Sequence, residues 1–356
     1  MATYKSLDAA VNNVLQEGVV IPAHPLALTK DLKLDEARQR LLTKYYIASG
    51  AGGIAVGVHT TQFAIRKPGI NLFEPVLKIA ADEIERAELQ SPFIKVAGIC
   101  GPVEQAINEA SLAVKHGYHL GLLSNGGLQQ YTEAELIERA YAVAEIMPLF
   151  GFYLQPAAGG RLLSYDFWRR FVEIPNVYAI KVAAFNRYHT LDVVRAVCNS
   201  ERRNGVALYT GNDDNIVADL LTPYHIPEGN SIAEKRFVGG LLGHWAVWTK
   251  KATTLLGQIK QCVANDYAGA AGLLSEGIAI TDMNAAIFDV KHQFHGCIPG
   301  IHEVLRRQGL LEGTWCLDPG EQLSEGQSEE INRVCKNYPN LIDDAFVETF
   351  LRNNKA

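Results

Sequence analysis

Long apolar runs are missing from this chain. The nearest approach to a membrane span, residues 141–160, is interrupted by Glu145, Pro148 and Gln155 and reads as a helix end followed by a buried strand. Residues 1–18 carry acidic side chains and no apolar stretch, which is not the pattern of a secretory leader. Positive charge is not in excess either. Lys and Arg number 33 against 39 Asp and Glu, and the net charge of −6 removes any default affinity for nucleic acid or anionic membrane. No nucleic-acid or membrane partner is expected. Cysteines are few, six in 356 residues, without a Cys-x-x-Cys spacing, so reduced thiols in a cytoplasmic protein are expected rather than a disulfide scaffold. No His-x-His pair ends the first strand-like run, which argues against a metal-dependent barrel hydrolase and predicts no metal site. The GAGGIA stretch at 50–55 mimics a dinucleotide fingerprint, but it precedes a strand-like run instead of following one.

What is present is a large apolar content, 48%, arranged as a repeat. A short run rich in Val and Ile is followed by a Gly or Pro break and then by an amphipathic segment. The runs fall at 19–23, 52–58, 93–100, 118–124, 149–155, 176–183, 206–212 and 236–242. Each is near-continuous rather than alternating, as in parallel strands buried on both faces. Eight such strands with helical crossovers predict an α/β chain folded as a (β/α)8 TIM barrel, with a doubly wound open sheet as the runner-up. Thr132 and Glu135 have the spacing of a capping box at one helix start. After the eighth run the chain stays helical to about residue 308, and a Gly-, Glu- and Ser-containing connector at 309–326 leads to a last helix around 328–352. The expected organisation is a barrel over 1–243 and a C-terminal helical extension over 244–356 packed on it. The stretch 221–235 is read as a long loop, of the kind that shapes access to barrel active sites.

Lys181 is the one charge inside YAIKVA, toward the carboxyl end of the sixth run, where barrel chemistry occurs. A buried amine gives up its proton easily and becomes a nucleophile. Moving a lysine from ~10.4 to ~7 corresponds to ~4.6 kcal/mol, which burial can supply. The alternative is a lysine that snorkels out or pairs with a carboxylate. Lys95 lies nearer the start of its own run and reads as structural. Tyr153 ends the fifth run. Adjacent parallel strands lie about 4.8 Å apart, so its phenol is expected within reach of Lys181, unless it caps the core through a backbone hydrogen bond.

Other polar groups sit at strand ends. His59, Thr60 and Thr61 close the second run, where hydroxyls and N–H groups hold a carboxylate or simply build a turn. His24 closes the first and is a candidate acid or base, or a satisfied core histidine. Asn212, Asp213 and Asp214 follow the seventh run, and helix capping accounts for at least one of them. Gly239 and Gly240 fall in the eighth run, where backbone can approach a ligand closely.

The FYLQP segment with its tyrosine, the YAIKVA lysine 28 residues later and the TGNDD that follows resemble the dihydrodipicolinate synthase/N-acetylneuraminate lyase family of class I aldolases. VHTTQF falls where that family carries its Gly-Thr-Thr-Gly-Glu motif, and the opening IPAHPLALTKDLKLD is similar to its first strand and turn. The similarity runs from about residue 19 to about 290. It implies a barrel with helical C-terminal portion assembled as a homodimer or homotetramer, a Schiff-base role for Lys181 and a proton-shuttle role for Tyr153. It also implies a carboxylate contact at Thr60 with Thr61 beside it. His59 and His24 stand where the family has threonines. The arginine that the synthases place five residues after the shuttle tyrosine is Ala158 here, with Arg161 three residues on as its possible substitute.

The implied chemistry is attack of neutral Lys181 on the ketone of pyruvate or another 2-oxo acid, giving an imine through which a C–C bond breaks or forms, with no metal or organic cofactor. An aldehyde is the expected second reactant. A dehydratase or hydratase-aldolase using the same imine, with His24 or His59 as the extra acid or base, is one alternative. A non-catalytic 2-oxo acid sensor is the other.

Overall fold

All eight apolar runs are strands. The computed structural model describes residues 4–229 and 231–354. The strands are β1 (Val20–Pro22), β2 (Gly53–Val56), β3 (Ile94–Ile99) and β4 (Leu120–Leu123). They continue as β5 (Leu149–Leu154), β6 (Val177–Ala183) and β7 (Ala207–Thr210). A two-stranded antiparallel hairpin, β8 (Tyr224–Glu228) and β9 (Ser231–Lys235), precedes the last barrel strand, β10 (Phe237–Leu242). The helices are α1 (Ala9–Glu17), α2 (Glu36–Ala48), α3 (Phe73–Arg86), α4 (Val103–Lys115) and α5 (Glu133–Ala144). Then come α6 (Tyr165–Val172), α7 (Arg187–Cys198), α8 (Ile216–Leu221) and α9 (Thr249–Ala264). The chain ends through α10 (Ala270–Ile287), α11 (Cys297–Arg307), α12 (Gln327–Asn337) and α13 (Asp344–Asn353). Eight parallel strands in one sheet, with helical crossovers, make a (β/α)8 barrel followed by C-terminal helices.

The chain forms two compact units. The first comprises Met1–Val19 and Ile94–Leu241. In it β3, β4, β5, β6, β7 and β10 lie side by side in that order. Each of β3 to β6 pairs in parallel with its successor, without the reversal of a doubly wound sheet. Burial on both faces explains the unbroken apolar runs, and β7 carries no exposed residue. At the helix starts the local chemistry is as expected. Thr132 Oγ1 accepts from Glu135 N at 3.3 Å while Glu135 Oε2 accepts from Thr132 N at 2.7 Å. Helix α1 is held to the strands by Tyr209, whose hydroxyl donates to Leu15 O at 2.9 Å and accepts from Val19 N at 3.3 Å.

The expected loop at 221–235 is the β8–β9 hairpin. Ile226 and Ala233 pair across it and are buried, and Gly229 sits at the bend with φ of 57°. Pro227 in the first strand and the Pro-Glu-Gly run at 227–229 read as loop, which hides the hairpin in the sequence.

The second unit comprises Val20–Phe93 and Leu242–Ala356. Here β1 adjoins β2, with Ala23 paired to Ala55. The Tyr45 hydroxyl donates to Asp343 at 2.7 Å and accepts from Thr249 N at 2.9 Å, tying α2 to α9 and to the entry of α13. The expected last helix is two helices, because Pro339 cannot continue α12. Residues 309–326 form the connector without regular structure, anchored by Ser324 Oγ donating to Asp289 at 2.5 Å. No helix among the described residues is long and apolar enough to cross a membrane.

Candidate active site

Lys181 is only 8% exposed, toward the carboxyl end of a strand that is otherwise apolar. Desolvation brings its amine down to about 8, against the opposing pull of the Asp213 carboxylate. About a tenth of the amine is therefore neutral at pH 7, far more than for an ordinary lysine. Its stem runs over Gly211, where an added Cβ would lie 2.5 Å from Lys181 Cε and 2.9 Å from Ala183 Cβ. Glycine at 211 is what lets the amine reach the end of β7, two residues before Asp213. On the other side, Nζ lies 4.5 Å from the centroid of the Phe152 ring. Lys95, by contrast, brings its Nζ to within 3.2 Å of a Cβ at Gly117, before β4 begins. That is the amino-terminal end of the strands, away from the catalytic face of such barrels.

Strand register places Tyr153 differently from the expectation. Phe152 pairs with Lys181, and Tyr153 pairs with Val182. Successive side chains point to opposite faces, so Phe152 shares a face with Lys181 and Tyr153 does not. Gly151, two residues before Tyr153, faces the Phe171 ring of α6. Tyr153 continues on that helix-facing side, 5.4 Å from the Trp168 ring and stacked at 5.8 Å on His189. Its hydroxyl lies 2.9 Å from His189 Nδ1 and donates to Leu163 O at 3.3 Å. Neighbouring strand ends do not suffice to bring two side chains together, and this structure does not bring the phenol to the amine.

The end of β7 is a buried polar lattice. Asn212 Oδ1 accepts from Phe185 N at 2.9 Å, and its Nδ2 donates to Asp219 at 2.9 Å. Thr210 Oγ1 donates to the same Asp219 carboxylate at 2.7 Å, and Arg187 pairs with it. Asn212, expected as a substrate contact, is thus spent on holding the β6 and β7 loops. Helix α8 has Asn215 at its cap position with no side-chain capping bond, so capping does not account for Asp213 or Asp214. Asp213, 9% exposed, stood out in the sequence only as one of three polar residues. The signal that marks it is the Gly two residues before it. Gly239 is glycine for packing, since a Cβ there would lie 2.5 Å from Val19 O and 2.9 Å from the Tyr209 ring. Gly240 N donates to the same Val19 carbonyl at 3.3 Å.

Beyond β5, Ala158 lies in the Pro156–Ala158 turn. Arg161 donates from one guanidinium nitrogen to Leu128 O and Tyr131 O, both at 2.8 Å. It staples the loop after β4. Arg139, 1% exposed on α5, bonds Gly101 O at 2.7 Å and Asn125 Oδ1 at 3.2 Å, fixing the ends of β3 and β4.

In the second unit, His24 is fully buried and holds its ring neutral, with the imidazole lowered to about 4 by desolvation. Gln39 Oε1 accepts from Ala27 N at 2.8 Å, so its Nε2 donates, and it lies 2.9 Å from His24 Nδ1. Nδ1 also lies 2.9 Å from Pro25 O, and Nε2 lies 2.9 Å from Thr43 Oγ1, so both ring nitrogens are engaged inside the core. A ring so engaged is a core histidine, not an acid or base. Thr61 is equally occupied. Its Oγ1 accepts from Gly57 N at 3.0 Å and donates to His24 O at 2.7 Å. Thr60 is the exception, 2% exposed with a hydroxyl that has no hydrogen-bond partner. Half-buried His59 faces Phe63 at 6.0 Å. Among the described residues, no three His, Cys, Asp or Glu side chains gather so as to hold a metal ion.

The architecture is that of a barrel with its lysine at the carboxyl end of strand six, and solved structures share this fold. Dihydrodipicolinate synthase from Oceanobacillus iheyensis matches with a TM-score of 0.71 at 17% identity, over 93% of this chain and 99% of that one. N-acetylneuraminate lyase from Fusobacterium nucleatum matches at 0.68 and 16% identity, over 91% and 99%. The dihydrodipicolinate synthase from Acinetobacter baumannii complexed with pyruvate matches at 0.71 and 20%, over 90% and 99%. No family profile matches the sequence, and no curated protein is similar to it by sequence.

Proposed function

We propose that this chain is a Schiff-base-forming lyase or aldolase that binds pyruvate or another 2-oxo acid as an imine on Lys181. The observation that carries this reading is a buried amine, lowered to about 8, toward the carboxyl end of β6, whose stem crosses Gly211 two residues before Asp213. An amine of that kind is a nucleophile at neutral pH, and imine formation turns a ketone into an electron sink. The names of the structures that share the fold, synthases and lyases with one bound to pyruvate, agree with this chemistry.

Borohydride added with pyruvate should attach the reduced substrate covalently to Lys181, as read by peptide mapping. An adduct on Lys95, or none with any 2-oxo acid in a panel, would remove the assignment. The dehydratase variant with His24 as acid or base loses support, because that ring is spent inside the core.

A further inference from the structure

Imine formation moves protons between nitrogen and oxygen, so something beside Lys181 must carry them. We infer that Asp213 is the proton carrier for imine formation at Lys181, a role that the family resemblance implies for Tyr153. This rests on the reading of Lys181 as the imine lysine.

Three observations carry it. The Lys181 stem crosses Gly211, which directs the amine to the segment where Asp213 follows at the end of β7. Asp213 is also the carboxylate whose charge acts on the amine. The other groups on the two strands paired with β6 are unsuited. Phe152, opposite Lys181 on β5, has no exchangeable proton. Tyr209, opposite it on β7, commits its hydroxyl to Leu15 and Val19 at the α1 end. Tyr153 faces α6 and α7. Beyond β7, Asn212 and Asp219 are tied to each other and to Arg187. The Asp214 carboxyl is raised by burial and opposed by Arg187, so its charge partner is the guanidinium.

The step balances without an outside reagent. The Lys181 ammonium passes one proton to the Asp213 carboxylate, and the freed amine attacks the ketone carbon. The C–N bond forms as the carbonyl π pair moves to oxygen. Asp213 gives its proton to that oxygen and takes one from the nitrogen, leaving a neutral carbinolamine. It then gives this second proton to the hydroxyl, which departs as water while the C=N bond forms. Two of the three ammonium protons leave with the water, and the protonated imine remains facing the Asp213 carboxylate.

The test uses the intact protein with Asp213→Asn, Asp213→Glu and Tyr153→Phe, each checked for folding by circular dichroism. Competitive labelling with acetic anhydride over a pH series, read by mass spectrometry on the Lys181 peptide, reports the amine's titration. Asp213→Asn should lower it by about one pH unit, since a carboxylate that favours the ammonium is lost. Tyr153→Phe should leave it in place. In single-turnover borohydride trapping with pyruvate, Asp213→Asn should slow adduct formation by roughly 10²–10³ and Asp213→Glu should recover part of the rate, with Tyr153→Phe within about twofold of wild type. A wild-type adduct that forms at an unchanged rate in Asp213→Asn overturns this inference and leaves the imine. An unmoved labelling curve in Asp213→Asn overturns it too. No adduct in the wild type removes the imine reading and the proton carrier together.

Discussion

Lys181 and Gly211 share one space. The lysine stem lies where a side chain at 211 would be, with Cε 2.5 Å and Cγ 3.1 Å from the missing Cβ. The glycine is required by that space, since it lies just past β7 where an ordinary backbone would accept any small residue. A nucleophile on one strand is thus positioned by an absent side chain on the next.

Gly211→Ala therefore displaces the lysine. The neighbouring Ala183 Cβ, 2.9 Å from the new atom, belongs to a buried strand end and cannot retreat. Overpacking of this size costs about 1–3 kcal/mol. Thermal melting should show a drop of a few degrees, and trapping with pyruvate should slow at least tenfold. A variant that melts lower but traps at the wild-type rate would show that the stem is free to take another path.

Much of this arrangement was legible in the residues. The eight strands follow from near-continuous Val- and Ile-rich runs, and Lys181 stood out because a charge inside such a run is costly. Face was not legible. Tyr153 and Phe152 are both aromatic and adjacent, and near-continuous apolar runs lack the alternation that would tell inward from outward. The irregularity in the β5–β6 register between Leu149 and Phe150 settles which of them meets Lys181, and no residue pattern announces it. The fates of Asn212 and His24 were equally hidden. Their partners Asp219 and Gln39 lie seven and 15 residues away and look like ordinary helix-surface polar residues until the helices are packed.

Thr60 presents a buried hydroxyl without a partner. An unsatisfied buried group costs about 1–3 kcal/mol, so a residue of the same shape without the hydroxyl should be more stable. Thr60→Val is expected to raise Tm by about 1–4 °C. If the hydroxyl serves a ligand, the same variant should lose the rise in Tm that saturating pyruvate gives the wild type. A variant that gains stability and keeps the full pyruvate effect would make Thr60 a packing defect and nothing more.

His24 makes the fold sensitive to acid. In the folded chain its imidazole is lowered to about 4, whereas in the unfolded chain it takes a proton near 6.5. Between those values the unfolded chain binds a proton that the folded chain refuses. Stability is therefore intact above about 6.5 and declines as the pH falls toward 4, by about 3 kcal/mol at the end of that window. His119 and His244, also lowered to about 4, act in the same direction. Urea unfolding at pH 7 and pH 5 should show the loss, and His24→Gln should reduce the difference between the two pH values. Equal pH differences in variant and wild type would place the acid sensitivity elsewhere.

The loop after β5 bears on the second reactant. A charged aldehyde needs a cation for its carboxylate, and an arginine fork suits that geometry. Position 158, where the resemblance to the synthases calls for arginine, is alanine in a short turn. Arg161 is close in sequence, but it already bridges the Leu128 and Tyr131 carbonyls at 2.8 Å. Swinging it toward a substrate would abandon two charge-assisted bonds, each worth about 1.5–3 kcal/mol, and release the loop after β4. The expected outcome is poor condensation of pyruvate with aspartate semialdehyde and better turnover with neutral aldehydes. Side-by-side kcat/KM values decide it. A higher value for the semialdehyde would mean that Arg161 does leave its carbonyls, and Arg161→Lys should then cost that substrate at least tenfold while sparing neutral ones. Adduct formation at Lys181 with turnover of neither class would instead favour a protein that captures a 2-oxo acid without transforming it.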